Sequence, residues 1–173
     1  CECEVLYLFD GVSRVSSLTA GQEGAVVLDR TPFYAESGGQ TFDIGRISMD
    51  GCLFEVTNTQ KSANGVYLHQ GRVLEGTVKP GMTVQASVDA VRRHLILPHH
   101  TATHLLQAAL RQVLGDHVHQ QGSFVGPDNL RFDFTHTEAL SREQIDEVES
   151  LVNGWVLQDY PVQIEHTSLS EAR

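Results

Sequence analysis

An α+β fold is predicted, with a small β-barrel over residues 1–89 and an α+β subdomain over residues 90–173. Three observations predict it. The first half holds short apolar runs separated by Gly-rich turns, the pattern of a small barrel. From about residue 90 helical and strand patterns alternate instead. Hydrophobic residues make up 40% of the 173, enough for the core of one large domain or two small ones.

The barrel strands follow in order. Residues 5–9 are an apolar run closed by the turn signal Asp10-Gly11. Residues 24–28 come next, then 46–49 and 52–56 joined by Asp50-Gly51 as a tight hairpin. Residues 66–69 and 83–88 complete the set. In the second half a helix is expected over 98–114, stopping near Gly115. Residues 118–125 and 130–134 read as two strands joined by Gly126-Pro127-Asp128-Asn129. Ser141-Arg142-Glu143-Gln144 is a capping box opening a second helix, whose apolar positions are Ile145, Val148, Leu151, Val152, Trp155 and Val156. Residues 161–167 read as a further strand. Ser168-Leu169-Ser170-Glu171 resembles another helix start just before the end, which together with a first residue other than Met suggests a piece of a longer protein.

Composition narrows the function. A net charge of -10 argues against a dedicated nucleic-acid binder, because neutralising phosphates needs clustered Lys and Arg. A site taking only the end of a tRNA stays open. The tight basic pair is Arg92-Arg93. No apolar run approaches the roughly 20 residues of a membrane span, so no membrane partner is expected. Three cysteines, Cys1, Cys3 and Cys52, form no disulfide framework, which points to a reducing, cytoplasmic setting.

His100 and His104 carry the clearest chemistry. Four residues apart on a helix, their rings stack on one face and can hold two corners of a zinc site. With Ala102, Leu106, Ala109 and Val113 as the buried stripe, both histidines lie nearly opposite it. They therefore face solvent or a cleft. Upstream stands Leu28-Asp29-Arg30-Thr31-Pro32-Phe33-Tyr34-Ala35-Glu36-Ser37-Gly38-Gly39-Gln40, followed by Asp43-Ile44-Gly45. Downstream stand Gln120-Gln121-Gly122-Ser123 and Arg131-Phe132-Asp133-Phe134.

These four motifs, in this order, resemble the editing region of the alanyl-tRNA synthetase family, along nearly the whole chain. More distantly the chain is similar to the free-standing AlaX deacylases and the editing domain of threonyl-tRNA synthetase. The resemblance implies a translation-factor-like barrel followed by an editing domain of the threonyl/alanyl type that is incomplete at its C-terminus. It implies hydrolysis of Ser-tRNA(Ala) or Gly-tRNA(Ala) at a zinc site, with His100 and His104 as two ligands. The Cys and His that complete the set are expected beyond Arg173. It also implies that Gln120 lines the pocket and that Thr31 reads the serine hydroxyl. Gly38 and Gly39 would allow a φ > 0 turn and close backbone approach to the substrate, Gln40 would contact the substrate or join Asp43 in tying down that turn, and Arg131 would approach a phosphate or form an ion pair.

Partners implied are the acceptor end of tRNA(Ala) and the other domains of a parent synthetase. ATP enters only through an aminoacylation module that no residue here supplies. Two rival readings are a free-standing AlaX-type deacylase and a catalytically silent tRNA-docking module. Ala35-Glu36-Ser37-Gly38-Gly39-Gln40 favours the synthetase form over the first, and the presence of His100, His104 and Gln120 argues against the second.

Overall fold

The computed structural model describes residues 1–161, 163, 167 and 168. Nine strands come first: β1 (Glu2–Phe9), β2 (Arg14–Val15), β3 (Leu18–Thr19), β4 (Glu23–Leu28), β5 (Gly45–Met49), β6 (Cys52–Lys61), β7 (Tyr67–Glu75), β8 (Thr77–Val78) and β9 (Thr83–Val88). Then follow α1 (Ala90–Leu114), β10 (Gln120–Val125), β11 (Leu130–Phe134) and α2 (Arg142–Gln158). The protein is thus a β-rich α+β fold. The expected strand over 161–167 and the helix start at 168–171 lie mostly outside the described residues.

Six strands close a barrel in the order β1-β4-β7-β6-β5-β9, with β9 bonded back to β1. Every pairing in the ring is antiparallel. Closure leaves the ring without a free edge. Strand β2 pairs with the last two residues of β1, beyond the stretch bonded to β9, and β3 pairs with β8 as a separate ribbon. Side chains alternate as a pleat requires: along β9, Val84 and Ala86 are buried and Thr83, Gln85 and Ser87 exposed. Val5, Leu8, Val26, Ile47, Phe54, Val56, Val73 and Val84 meet in the core.

Two departures from the expected elements have physical causes. Strand β7 continues to Glu75 through Gly71, a residue that weakens a strand pattern in sequence. A Cβ there would collide with the Glu55 carbonyl of β6, so the close pairing of β6 and β7 requires glycine. Helix α1 begins at Ala90, eight residues before the expected start, and runs through Pro98. Asp89 caps it, its Oδ1 accepting from the Arg92 N–H at 3.0 Å. His94, whose carbonyl loses a bond to Pro98, is exposed, whereas Ile96 is 1% exposed and anchors this stretch.

The chain forms two compact units, Cys1–Thr103 with Gln120–Asp133, and His104–His119 with Phe134 onward. Residues 89–90, the division expected from sequence, mark the start of α1. The first unit holds the barrel, the start of α1 and most of the β10–β11 hairpin. In the second, α2 opens with the expected capping box: Ser141 Oγ accepts from Gln144 N at 3.2 Å, and Gln144 Oε1 accepts from Ser141 N at 2.9 Å.

Candidate active site

The segment between β4 and β5 carries most of the site residues named from sequence. Gly38 and Gly39 have φ of +59° and +83°. Ser37 and Gln40 exchange backbone bonds of 3.2 and 3.0 Å across them, a two-residue hairpin whose central φ values suit glycine. Position 39 is restricted twice over, because a Cβ there would meet the side chain and carbonyl of Ser123 on β10. The turn is fastened to that strand. Val125 N donates to the Gly39 carbonyl at 2.8 Å, and Thr41 N donates to the Val125 carbonyl at 3.0 Å.

Gln40 then reaches α1, with its Oε1 at 2.6 Å from His100 Nδ1. Gln120 lies on the same strip, its Nε2 donating to Ser123 Oγ at 3.0 Å. The fold therefore gathers Gly39, Gln40, His100, Ser123 and Gln120, although 84 positions separate Gly39 from Ser123. His99 helps seat the helix, its Nδ1 donating to the Gly126 carbonyl at 2.7 Å. His100 and His104 are both exposed on α1, while Ala109 and Leu110 are buried. Of the stripe expected to be buried, Ala109 is buried and Ala102, Leu106 and Val113 are half-buried, while Thr103 and Leu110 are buried as well.

Other residues are held differently. The Thr31 hydroxyl lies 2.7 Å from His69 Nε2 and accepts from Phe33 N at 3.0 Å. His69 Nδ1 donates to the Val26 carbonyl at 2.9 Å, so Nε2 carries the lone pair and Thr31 donates to it. The one proton of Thr31 is thus committed to the barrel. Thr31 borders a separate hollow of about 490 Å³ with Phe33 and Tyr67. Arg131 pairs with Asp133 two residues along β11, at 3.2 Å, on an exposed face.

Sequence reasoning missed the part Arg93 plays. Its guanidinium pairs with both oxygens of Asp43 and donates to the Pro32 carbonyl at 2.8 Å. Asp43 is 2% exposed, and its carboxylate also accepts from Tyr34 N at 2.7 Å. Arg93 and His100 stand seven residues apart, two helical turns, and that spacing was the available signal.

Burial of His69 holds its pKa below the ordinary 6.5. The unfolded chain then binds a proton more readily than the folded one. The contribution is full above pH 6.5 and is lost as pH falls from there toward the lowered folded value. Unfolding free energies from urea titrations between pH 8 and 5 should therefore fall with acid, by at most about 1.4 kcal/mol per pH unit from this group. His69→Gln should flatten that dependence. Equal slopes for the two proteins would refute the assignment.

As a metal centre the described residues are incomplete. Among them, no group of three or more His, Cys, Asp or Glu side chains is placed to hold a metal ion. His100 and His104 offer two ligands, and zinc takes three or four from protein. The donor set described here does not make a zinc site by itself.

Comparison with known proteins places this geometry in a family. The family model described as tRNA synthetases class II (A) matches residues 1–92, more than half of the chain. The chain belongs to that family. The matched residues include Thr31, Gly38, Gly39, Gln40 and Asp43, while His100 and Gln120 lie past them. Similarity to whole proteins runs further. The chain is 52% identical over 161 residues to an alanine--tRNA ligase of Chromohalobacter salexigens, covering 93% of the chain and 18% of that protein. It is 50% identical over 172 residues to one of Thermus thermophilus, covering 99% and 19%. It is 48% identical over 169 residues to one of Acetivibrio thermocellus, covering 98% and 19%. The chain thus spans about a fifth of the length of these relatives.

Proposed function

We propose that this chain is the editing region of an alanine–tRNA ligase, removing serine or glycine wrongly attached to tRNA(Ala). The parent attaches alanine to tRNA(Ala) with ATP, through a module that lies elsewhere. The observation that carries the reading is the single strip formed by Gly39, Gln40, His100, Ser123 and Gln120. Ester hydrolysis needs a positioned water and donors for the oxyanion. Gln120 offers an amide with both donor and acceptor for the water or substrate. Gly38 and Gly39 let backbone come close to the ligand. Arg131, which pairs with Asp133 on an exposed strand face, would have to exchange that partner to approach a tRNA phosphate.

Zinc is proposed for the parent, with His100 and His104 supplying two of its ligands and the family's Cys and His supplying the rest. When bound it would add positive charge near the ester. The barrel is proposed to be of the translation-factor type, and the surroundings of His100 to be the editing fold shared with threonyl-tRNA synthetase. Similarity along the chain to relatives five times its length favours a synthetase over a free-standing deacylase. Three free cysteines support a cytoplasmic setting.

Two measurements test the reading. The parent should release serine from Ser-tRNA(Ala) faster than alanine from Ala-tRNA(Ala). This chain alone should bind zinc with affinity several powers of ten below a four-ligand site, whose apparent binding energy is about 10–16 kcal/mol. It should also be a poor deacylase, since its charge of -10 disfavours tRNA capture at physiological salt. A parent without deacylation would sink the editing assignment. A stoichiometric nanomolar zinc site in the chain alone would show that other residues complete the ligand set.

A further inference from the structure

We propose that Gln40 is a positioning residue that holds His100 in the Nδ1–H tautomer, with the Asp43–Arg93 pair keeping the loop in register for that contact. This deepens the reading above and depends on it only for the use to which His100 is put.

A neutral imidazole has one N–H, and its hydrogen-bond partner decides which nitrogen carries it. Here the partner of Nδ1 is the amide oxygen of Gln40, an acceptor, at 2.6 Å. The ring must donate from Nδ1, which puts the lone pair on Nε2. In water the opposite tautomer predominates, so the protein has to supply the preference. An acceptor on the far nitrogen is also how ligating histidines are commonly oriented.

One bond from a half-buried glutamine would be a weak device without support. The support is a second rung. Gln40 meets His100 while Asp43, three residues on, meets Arg93, seven residues back along α1. Three residues reach at most about 10–11 Å, and seven helical residues rise about 10.5 Å. The segment from Gln40 to Asp43 is thus long enough for both contacts to form at once. Both ends of the lower rung are anchored. Arg93 also holds the Pro32 carbonyl at 2.8 Å, and Asp43 N donates to the Tyr34 carbonyl at 2.9 Å. Thr59 Oγ1 donates to the Asp43 carbonyl at 2.9 Å from a wholly buried position on β6. The upper rung is fixed by the turn at Gly38-Gly39 and the bonds to Val125.

The tautomer is read directly from long-range proton–nitrogen correlations of the imidazoles in the labelled chain at about pH 8, above the ordinary histidine range. The His100 signals are identified by their loss in His100→Ala. In the unsubstituted chain Nε2 of His100 should resonate as an unprotonated ring nitrogen. Gln40→Leu should move the proton to Nε2. Gln40→Glu keeps an acceptor and should restore the Nδ1–H form, which separates the bond from any filling role of the side chain. Asp43→Asn and Arg93→Lys should each give averaged signals, and Arg93→Lys carries this arm if Asp43→Asn does not fold. A proton on Nε2 in the unsubstituted chain, or no change in Gln40→Leu, would overturn the proposal. Unchanged signals in Arg93→Lys would overturn the claim of register. No tRNA, metal or turnover enters the measurement, so its failure is distinct from a failure of the deacylation reading.

Discussion

Replacing His100 and His104 together with alanine in the intact parent is expected to abolish release of serine from Ser-tRNA(Ala) and to leave attachment of alanine unchanged. Each of the two histidines is exposed on α1, and Gln40 lies against the first ring. Losing an outer-shell partner of a metal ligand costs about 10–100-fold in affinity or activity, so losing two ligands should exceed about 100-fold. Alanine attachment should survive because no ATP-using motif lies in this chain. The two activities are read on the same preparation, by decay of charged tRNA and by its formation. Full deacylation in the double variant would remove the pair from the chemistry. Equal loss of both activities would mean that the substitution acts through folding.

Asp43→Ala should be the most destabilising single change in the loop. It removes a carboxylate that is 2% exposed and binds Tyr34 N–H and Arg93 together. Breaking a buried pair by deleting one partner costs about 3–5 kcal/mol. The Arg93 side chain is 38% exposed and regains some water, so about 2–4 kcal/mol is expected. At roughly 2–4 °C per kcal/mol for a chain of this size, Tm should fall by about 4–16 °C. Glu36→Ala is the comparison, since Glu36 accepts from Gln60 at an exposed position. Its effect should stay within about 0.5 kcal/mol. Similar Tm values for the two variants would show that the Asp43–Arg93 pair does not hold the loop.

Several elements could be read from local pattern. The Asp50-Gly51 hairpin, the 83–88 strand, the 130–134 strand and the Ser141 capping box stand where the residues place them. Each depends on groups within a few positions of one another. The outward face of His100 and His104 follows from the helical period alone. Other features were misread because a distant contact outweighs the local signal. The helix was expected from residue 98, yet α1 begins at Ala90, where Asp89 caps it, and the first turns are held by buried Ile96 and by Arg93 on Asp43. Gly71 reads as a strand weakener, yet it lies mid-strand where Glu55 leaves no room for a side chain.

The sequence by itself determined the α+β class, the candidate histidines and the glycine turn, because periodicity, capping and φ > 0 are short-range properties of the chain. Tertiary structure alone decided which groups meet. Barrel closure joins Glu2 to Gln85, Arg93 finds Asp43 fifty residues away, and Gln40 finds His100 across sixty. The hydroxyl of Thr31, a candidate for reading substrate, is engaged by His69 across thirty-eight. A side chain's donors and acceptors are the same in any context, and what they bind depends on which distant segment packing brings within about 3 Å.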